Sequence, residues 1–384
     1  MRRLVLLLSA IVAVDIMFFT ALAPLLPHFV SRYDLSKGEA GVLSATYGAG
    51  VLGASIPGGV AASRLGPRQA VLGGVALTAL ASLGFALAGD AWMLGTARLL
   101  QGIGSAFSWA GALAWLVASA PRDRRGELIG TTMGAAVFGA LLGPALGAVA
   151  SAAGVRGTFL AVSALGVALF AWVLATPGAA PEPQPLSALR RADRRLLGGL
   201  WLLVLPALLF GVLVVLVPLK LHAHGWSGVA IGAVFLVTAA VEVVLNPLLG
   251  RLTDRRGRLV PVRLALVGSV AVSLGLAWAG PAPLVAALAL AAGLAYGAFY
   301  TPGMALISDG AEQRRIAPGL AFGVMNGAWA AGNVVGPAVG GALAEAAGDA
   351  LPYLLLALVC LLTLLATFSA APVYLQPRSR PRSP

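Results

Sequence analysis

Uninterrupted apolar runs of about 20 residues recur from one end of this sequence to the other, each long enough to cross a hydrocarbon core of about 30 Å as a helix. Of all residues, 59% are apolar and 10% charged, where a water-facing domain carries roughly 25% charged residues. The 384 residues therefore read as a polytopic membrane protein rather than as two or three soluble domains. The 26 basic and 14 acidic side chains give a formal charge of +12, which in a soluble protein would point to nucleic acid. Here the basic residues cluster between the apolar runs, so the expected partner is the lipid bilayer and not nucleic acid.

Breaking the chain at charged and Pro/Gly-rich clusters predicts twelve spans. The first six cover 4–27, 39–62, 70–89, 92–120, 128–152 and 158–176; the second six cover 196–219, 228–250, 261–280, 283–308, 317–345 and 351–372. The N-terminal stretch starts like a secretory signal. Its apolar run, however, continues through Pro27, carries Asp15 at its centre and lacks a small-residue cleavage site, so it is expected to remain as the first span. Residues 177–195 hold four prolines and four arginines and read as a linker between an N-terminal bundle, 1–176, and a C-terminal bundle with a short basic tail, 196–384. Sorted by side, the termini, the linker and the other segments on that face hold 21 of the 26 basic residues. The opposite loops hold Arg32, Lys37, Arg156 and Lys220, and Arg98 lies within a span. Cytoplasmic segments carry the excess of Lys and Arg, which predicts a multi-pass plasma-membrane protein with both termini inside.

The halves repeat. Gly130, Gly134, Gly139, Gly143, Pro144 and Gly147 fall on Gly323, Gly327, Gly332, Gly336, Pro337 and Gly340 at a constant offset of 193. A second pair, beginning at Gly59 and Gly250, lies at offset 191. Two homologous six-helix halves in the same orientation follow, related by an axis along the membrane normal.

These residues resemble the major facilitator superfamily along the whole chain. Its signature between the second and third helices is complete as Gly250, Asp254, Arg255, Gly257 and Arg258. In the first half it reads Gly59, Ser63, Arg64, Gly66 and Arg68, with serine where the family usually has aspartate. The fourth-helix signature matches Arg98, Gln101 and Gly102, and the fifth-helix signature, typical of the family's exporters, matches Gly130, Gly139, Gly143, Pro144 and Gly147, departing at Ala148. The resemblance implies an all-helical fold of twelve transmembrane helices in two pseudo-symmetric bundles that rock about a site near the bilayer midplane.

Gly139, Gly143 and Gly147 recur every four residues and line one helix face, where a neighbouring backbone can come close. Pro144 removes a donor and bends that helix, and the repeat puts Gly332, Gly336, Pro337 and Gly340 in the same setting. This is either tight packing or, as the exporter resemblance implies, a bend that seals the cavity against leak. Arg64, Arg68, Arg255 and Arg258 lie close to helix ends, where exposed carbonyls and anionic headgroups attract them. Asp254 is expected to accept N–H groups at the start of the fifth span near Leu128, and Ser63 to cap the eleventh near Pro318 as a neutral partner. A cytoplasmic gate weaker on the Ser63 side follows, since charge-assisted hydrogen bonds are roughly twice as strong.

Charge within the bilayer costs roughly 2.5 to 3.5 kcal/mol on insertion scales, so it is rarely kept without a cavity or partner. Three such residues remain near mid-span: Asp15, Arg98 and Glu242. Asp15 stands roughly 18 Å below the outer end of its helix and Arg98 about 9 Å, at 1.5 Å rise per residue. They can meet only through the long arginine side chain, a polar bridge or a change of tilt. Asp15 is the leading candidate for proton coupling, tuned by Arg98 and Gln101; Glu242, with Asn246 a turn below, offers a second carboxylate or attracts a cationic substrate. Both acids could instead be interhelical polar contacts. Phe18, Phe19, Trp109, Tyr296, Asn326, Trp329 and Asn333 are candidates for the substrate cavity, with packing as the alternative. Cys360 reads as apolar filler, and His28, His222 and His224 sit at loop edges without the acids or cysteines of a metal site.

The function expected is proton-driven export of a small hydrophobic or cationic compound by a monomer, with the proton gradient as energy source and no cofactor. Uptake of a nutrient on the same fold is the nearest alternative, and a non-transporting sensor a more distant one. No nucleophile, base and oxyanion arrangement suggests an enzyme.

Overall fold

In the computed structural model the described residues are 1–121, 124–180, 194–257, 259–313 and 318–369, without the side chains of 194–195, 245–247, 249–250, 252–256, 318–320 and 369. They form fourteen helices: α1 (Arg2–Thr20), α2 (Leu22–Tyr33), α3 (Lys37–Arg64), α4 (Pro67–Leu87), α5 (Ala91–Ser119), α6 (Arg125–Ala153), α7 (Val155–Leu174), α8 (Arg194–Ala223), α9 (Gly228–Arg256), α10 (Leu259–Trp278), α11 (Ala282–Gly297), α12 (Tyr300–Gln313), α13 (Pro318–Ala347) and α14 (Ala350–Ser369). Two predicted spans are interrupted: the first at Ala21, between α1 and α2, and the tenth at Ala298 and Phe299, between α11 and α12. A proline follows each interruption, and its missing N–H leaves the carbonyl four residues back without a helical partner. Pro24 does this to Thr20, and Pro302 to Ala298. Joining these pairs gives twelve spans in two six-helix bundles, the arrangement expected from the repeat.

Among the described residues nine helices, counting α11 with α12 as one, are long and apolar enough to cross a membrane. The glycine-rich α3 and α13 fall outside that set, and their packing supplies a reason. α3 lies along α13 across the two bundles, as α6 lies along α9. Small residues let backbones approach there without the hydrophobic bulk that a lipid-facing helix carries.

The bundles meet tightly at the end away from the linker. A Cβ on Gly41 of α3 would collide with the Pro337 carbonyl of α13, and one on Gly232 of α9 would lie 3.0 Å from the Pro144 carbonyl of α6. Ser36 caps α3 in a box with Glu39. The Gly38 N–H donates across the bundles to Glu345 Oε2 at 2.8 Å, and Lys37 pairs with Asp349. Exposed pairs of this kind contribute roughly 0–1 kcal/mol, so close backbone packing carries most of the seal and the charges set its register. Towards the linker end, Gly53, Gly59, Gly126, Gly130 and Gly134 have open space where a Cβ would stand.

Candidate functional site

On α5, Arg98, Gln101, Ser105 and Trp109 follow at intervals of three and four residues and so form one polar stripe along an otherwise apolar helix. Asp15 of α1 faces this stripe, only 4% exposed. Its Oδ2 accepts from Ser105 Oγ at 2.7 Å, Trp109 Nε1 at 2.8 Å and the Tyr47 hydroxyl of α3 at 3.1 Å. Oδ1 receives no hydrogen bond among the described residues. An ionised carboxylate only accepts, so three donors crowd one oxygen while the other stays available.

Arg98 is 1% exposed and makes no ion pair with Asp15 among the described residues. Its guanidinium donates to the Phe18 carbonyl at 3.0 Å, the Phe19 carbonyl at 3.3 Å and Gln101 Oε1 at 3.4 Å. Those carbonyls belong to the last turn of α1, where the interrupted helix leaves acceptors and the negative end of its dipole, a natural seat for a cation. The guanidinium carbon also stands 5.0 Å from the centre of the Tyr47 ring. Tyr47 is thus the polar bridge: its hydroxyl holds Asp15 and its ring faces Arg98. Among the described residues, Arg98 Nε and Gln101 Nε2 are buried without a hydrogen-bond partner.

Glu242 of α9 lies across the C-terminal end of α11. Its carboxyl carbon is 3.0 Å from where a Cβ of Gly297 would stand, and its Oε1 is 3.4 Å from that of Gly293. Tyr300 stands at the start of α12, just past the interruption. The structure therefore keeps the two acids in separate bundles. A row of rings crosses between the bundles, with Phe19 4.9 Å from Tyr47 and 5.0 Å from Trp329 of α13, centre to centre.

Several expected cavity residues belong elsewhere. Phe18 is a correction: it is 1% exposed and packs on Phe85 and Phe159, because its position on α1 points away from the row that Phe19 joins. Tyr296 is another, fully buried with its hydroxyl on Ser273 and its ring edge-on to Phe210. Gln101 and Asn333 are buried too, the first held by Arg98 and the second donating to the Trp329 carbonyl one turn back. Phe19, Trp109, Asn326 and Trp329 are half-buried, and Asn246 lies outside the described side chains.

The glycine pattern divides. A Cβ on Gly139 would collide with the Ala13 carbonyl of α1, one on Gly143 with Thr20, and one on Gly147 with the Ala21 carbonyl. Their counterparts Gly332, Gly336 and Gly340 meet Val204, Leu208 and Val212 of α8 in the same way. Pro144 and Pro337 sit inside α6 and α13, at the contacts with α9 and α3.

At the linker end, Gly66 and Gly257 take φ of +104° and +78°, the left-handed turn that an L side chain resists. The Ser63 hydroxyl donates to the Val60 carbonyl in its own helix, as serines near helix ends commonly do, and residues 314–317, which lead into the span it is expected to cap, lie outside the described residues. Arg64 is exposed. Gly250, Asp254, Arg255 and Arg258 lie outside the described side chains, and with them the other half of the expected gate. Arg68 stays within its own bundle and donates to the Val173 and Leu174 carbonyls at the end of α7. Arg263, which the sequence marks only as one basic residue of the linker face, repeats that clamp on Thr367 of α14 and stacks on Phe368 at 4.0 Å. Each arginine satisfies carbonyls that a helix end leaves orphaned. Replacing Arg263 with alanine is expected to cost about 1 kcal/mol or more, read as a lower unfolding temperature in detergent. An unchanged temperature would show that the clamp adds no stability.

Comparison with known proteins fits this geometry. The family model described as Major Facilitator Superfamily matches residues 8–319. The MFS-type transporter ppzB of Metarhizium rileyi is 33% identical over 160 residues, 40% of this chain but only 33% of that relative. An uncharacterized MFS-type transporter of Yersinia pestis is 27% identical over 259 residues, covering 65% of this chain and 67% of the relative. In fold, the crystal structure of a bacterial homolog to the human lysosomal transporter Spinster, inward-facing and unoccupied, superposes with a TM-score of 0.81 at 16% identity and covers 98% of both chains.

Proposed function

Because the chain belongs to the major facilitator superfamily and is a multi-pass secondary transporter rather than an enzyme, we propose that it uses the proton gradient to export a small hydrophobic or cationic compound across the plasma membrane. The observation that carries this reading is Asp15, a buried carboxylate with three donors on Oδ2 and, among the described residues, none on Oδ1. That oxygen is the place for a proton to bind and leave without breaking the donors' grip on the other.

With the basic row placed inside, the sealed end is external and this conformation opens to the cytoplasm. Three donors on one oxygen suit the ionised acid, so the conformation corresponds to a transporter that has released its proton inward and awaits substrate. Substrate binding and return to the outward-open form would then expose Asp15 to the outer proton pool. Glu242 supplies a second carboxylate in the other bundle, a charge that attracts a cation. The glycine and proline face of α6 keeps the bundle contact tight during the exchange. No cofactor enters this cycle, and one chain suffices for it.

The test is flux in proteoliposomes under an imposed pH gradient, screened over lipophilic cations, sugars and organic acids. Inside-out vesicles that accumulate a lipophilic compound when their lumen is acidic support export. Accumulation only in vesicles of the opposite orientation would replace export with uptake.

A further inference from the structure

We propose that the crevice between α8 and α14 at the linker end binds one acyl chain of an anionic phospholipid, with Arg263 at the headgroup. The crevice measures about 330 Å³. Val262 of α10 and Leu306 of α12, both buried, form its floor, and Gly198 and Trp201 of α8 and Leu362 and Ala366 of α14 form its walls. Trp201 is 39% and Leu362 56% exposed, so the crevice opens on the outer surface of the bundle, where lipid lies. The repeat explains why the second half has it. Gly139 meets Ala13 of α1 as Gly332 meets Val204 of α8, so α8 follows α1 at an offset of 191. The same offset relates Gly66 to Gly257, which precede α4 and α10 with positive φ. Gly198 and Val262 therefore stand where Leu7 and Val71 stand in the first half. Leu7 is fully buried there in one apolar cluster with Val71 and Val173 of α7. Gly198 brings no side chain to fill the corresponding space. Its neighbour Gly199 lets α8 lean on α12, where a Cβ would come 2.9 Å from the Gly303 carbonyl, while α8 and α14 barely touch.

The lining selects a hydrocarbon chain. Trp201 Nε1 donates to Thr363 Oγ1 at 3.2 Å, and the Thr363 and Thr367 hydroxyls donate to the Val359 and Leu364 carbonyls of their own helix. The polar side chains of the crevice are thus engaged within the protein, and a polar solute would lose water there without gaining a partner. An acyl chain asks for none. Charge then selects the lipid. Arg263 borders the crevice through Thr367, to which its Nε and Nη2 donate at 3.1 and 3.0 Å. Its Nη1 makes no hydrogen bond among the described residues. Phe368 covers one face of the guanidinium, which leaves the Nη1 edge to meet a phosphate oxygen. Among the described residues that line the crevice none is acidic, and basic pockets between helices near the membrane surface suit anionic headgroups. Neither Asp15 nor Glu242 lines it, so the site is separate from the candidate coupling residues.

The experiment requires no known substrate. Native mass spectrometry of the full chain in detergent, supplied with equal amounts of phosphatidylglycerol and phosphatidylcholine, would count the lipids that stay bound. The parent is expected to retain one phosphatidylglycerol in about fivefold preference to phosphatidylcholine, the pull of one arginine near a charged lipid surface. Gly198→Leu restores the side chain that Leu7 supplies in the first half, and Ala366→Phe fills the crevice from the exposed wall of α14. Both should lose the retained lipid, and the second keeps the test available if the first fails to fold. Arg263→Gln should still retain a lipid while losing the preference for phosphatidylglycerol. Equal retention of the two lipids by the parent, or undiminished retention in the filled variants, would overturn the site. A preference that survives Arg263→Gln would overturn Arg263 as the headgroup ligand.

Discussion

Asp15→Asn is expected to reduce pH-gradient-driven accumulation to the level of protein-free liposomes while the protein folds and inserts normally. Asparagine keeps the shape of the side chain, and its amide oxygen can still accept from Ser105, Trp109 and the Tyr47 hydroxyl. What it removes is the exchangeable proton on Oδ1. It also removes a charge from a site that is 4% exposed, so packing and stability should suffer little. Downhill exchange of substrate should survive, since alternating access itself does not need the acid. Reconstituted flux with and without a pH gradient, alongside thermal unfolding of the same preparations, separates the outcomes. Retention of full gradient-driven transport would remove Asp15 from coupling, and loss of folding would make it a structural contact.

The second large effect is a contrast within one glycine pattern. Gly139→Ala places a methyl against the Ala13 carbonyl of α1, backbone that cannot rotate aside, so α1 and α6 must separate. Overpacking of this sort costs about 1–3 kcal/mol, occasionally more. Gly134→Ala, little more than one turn earlier, meets nothing within 4 Å, and alanine favours a helix over glycine by about 1 kcal/mol. Thermal unfolding in detergent should therefore shift down for the first and stay level or rise for the second. Equal shifts would mean that the α1 contact does not depend on Gly139.

That contrast marks a limit of the sequence. Gly130 and Gly139 both match the fifth-helix signature, and the path of α1 decides that a second backbone touches Gly139 and not Gly130. Length and apolar periodicity suffice for the twelve spans, because a helix in lipid must satisfy its backbone within itself. The repeat is legible for a similar reason, since glycine and proline stand where no other residue serves. Asp15 and Arg98 stand out as charges in apolar runs. Their relation does not, because it passes through Tyr47 on a third helix, and spacing along the chain says nothing of which helices converge. Ser105 is a partner of Asp15 that the charge pattern misses, although helical spacing alone puts it on one face with Arg98, Gln101 and Trp109. Phe18 and Phe19 show the converse. As adjacent residues they read alike, yet the helix turns about 100° between them, and one enters the core while the other meets Trp329.

Coupling of transport to a proton on Asp15 is tested most directly by proton movement driven by substrate. Proteoliposomes loaded with a pH-sensitive dye, and with no imposed pH gradient, are given a gradient of a compound that the protein moves. Proton flow in the direction opposite to the compound, at a fixed ratio and absent in Asp15→Asn, is the predicted result. Substrate flux with no accompanying proton movement would contradict it.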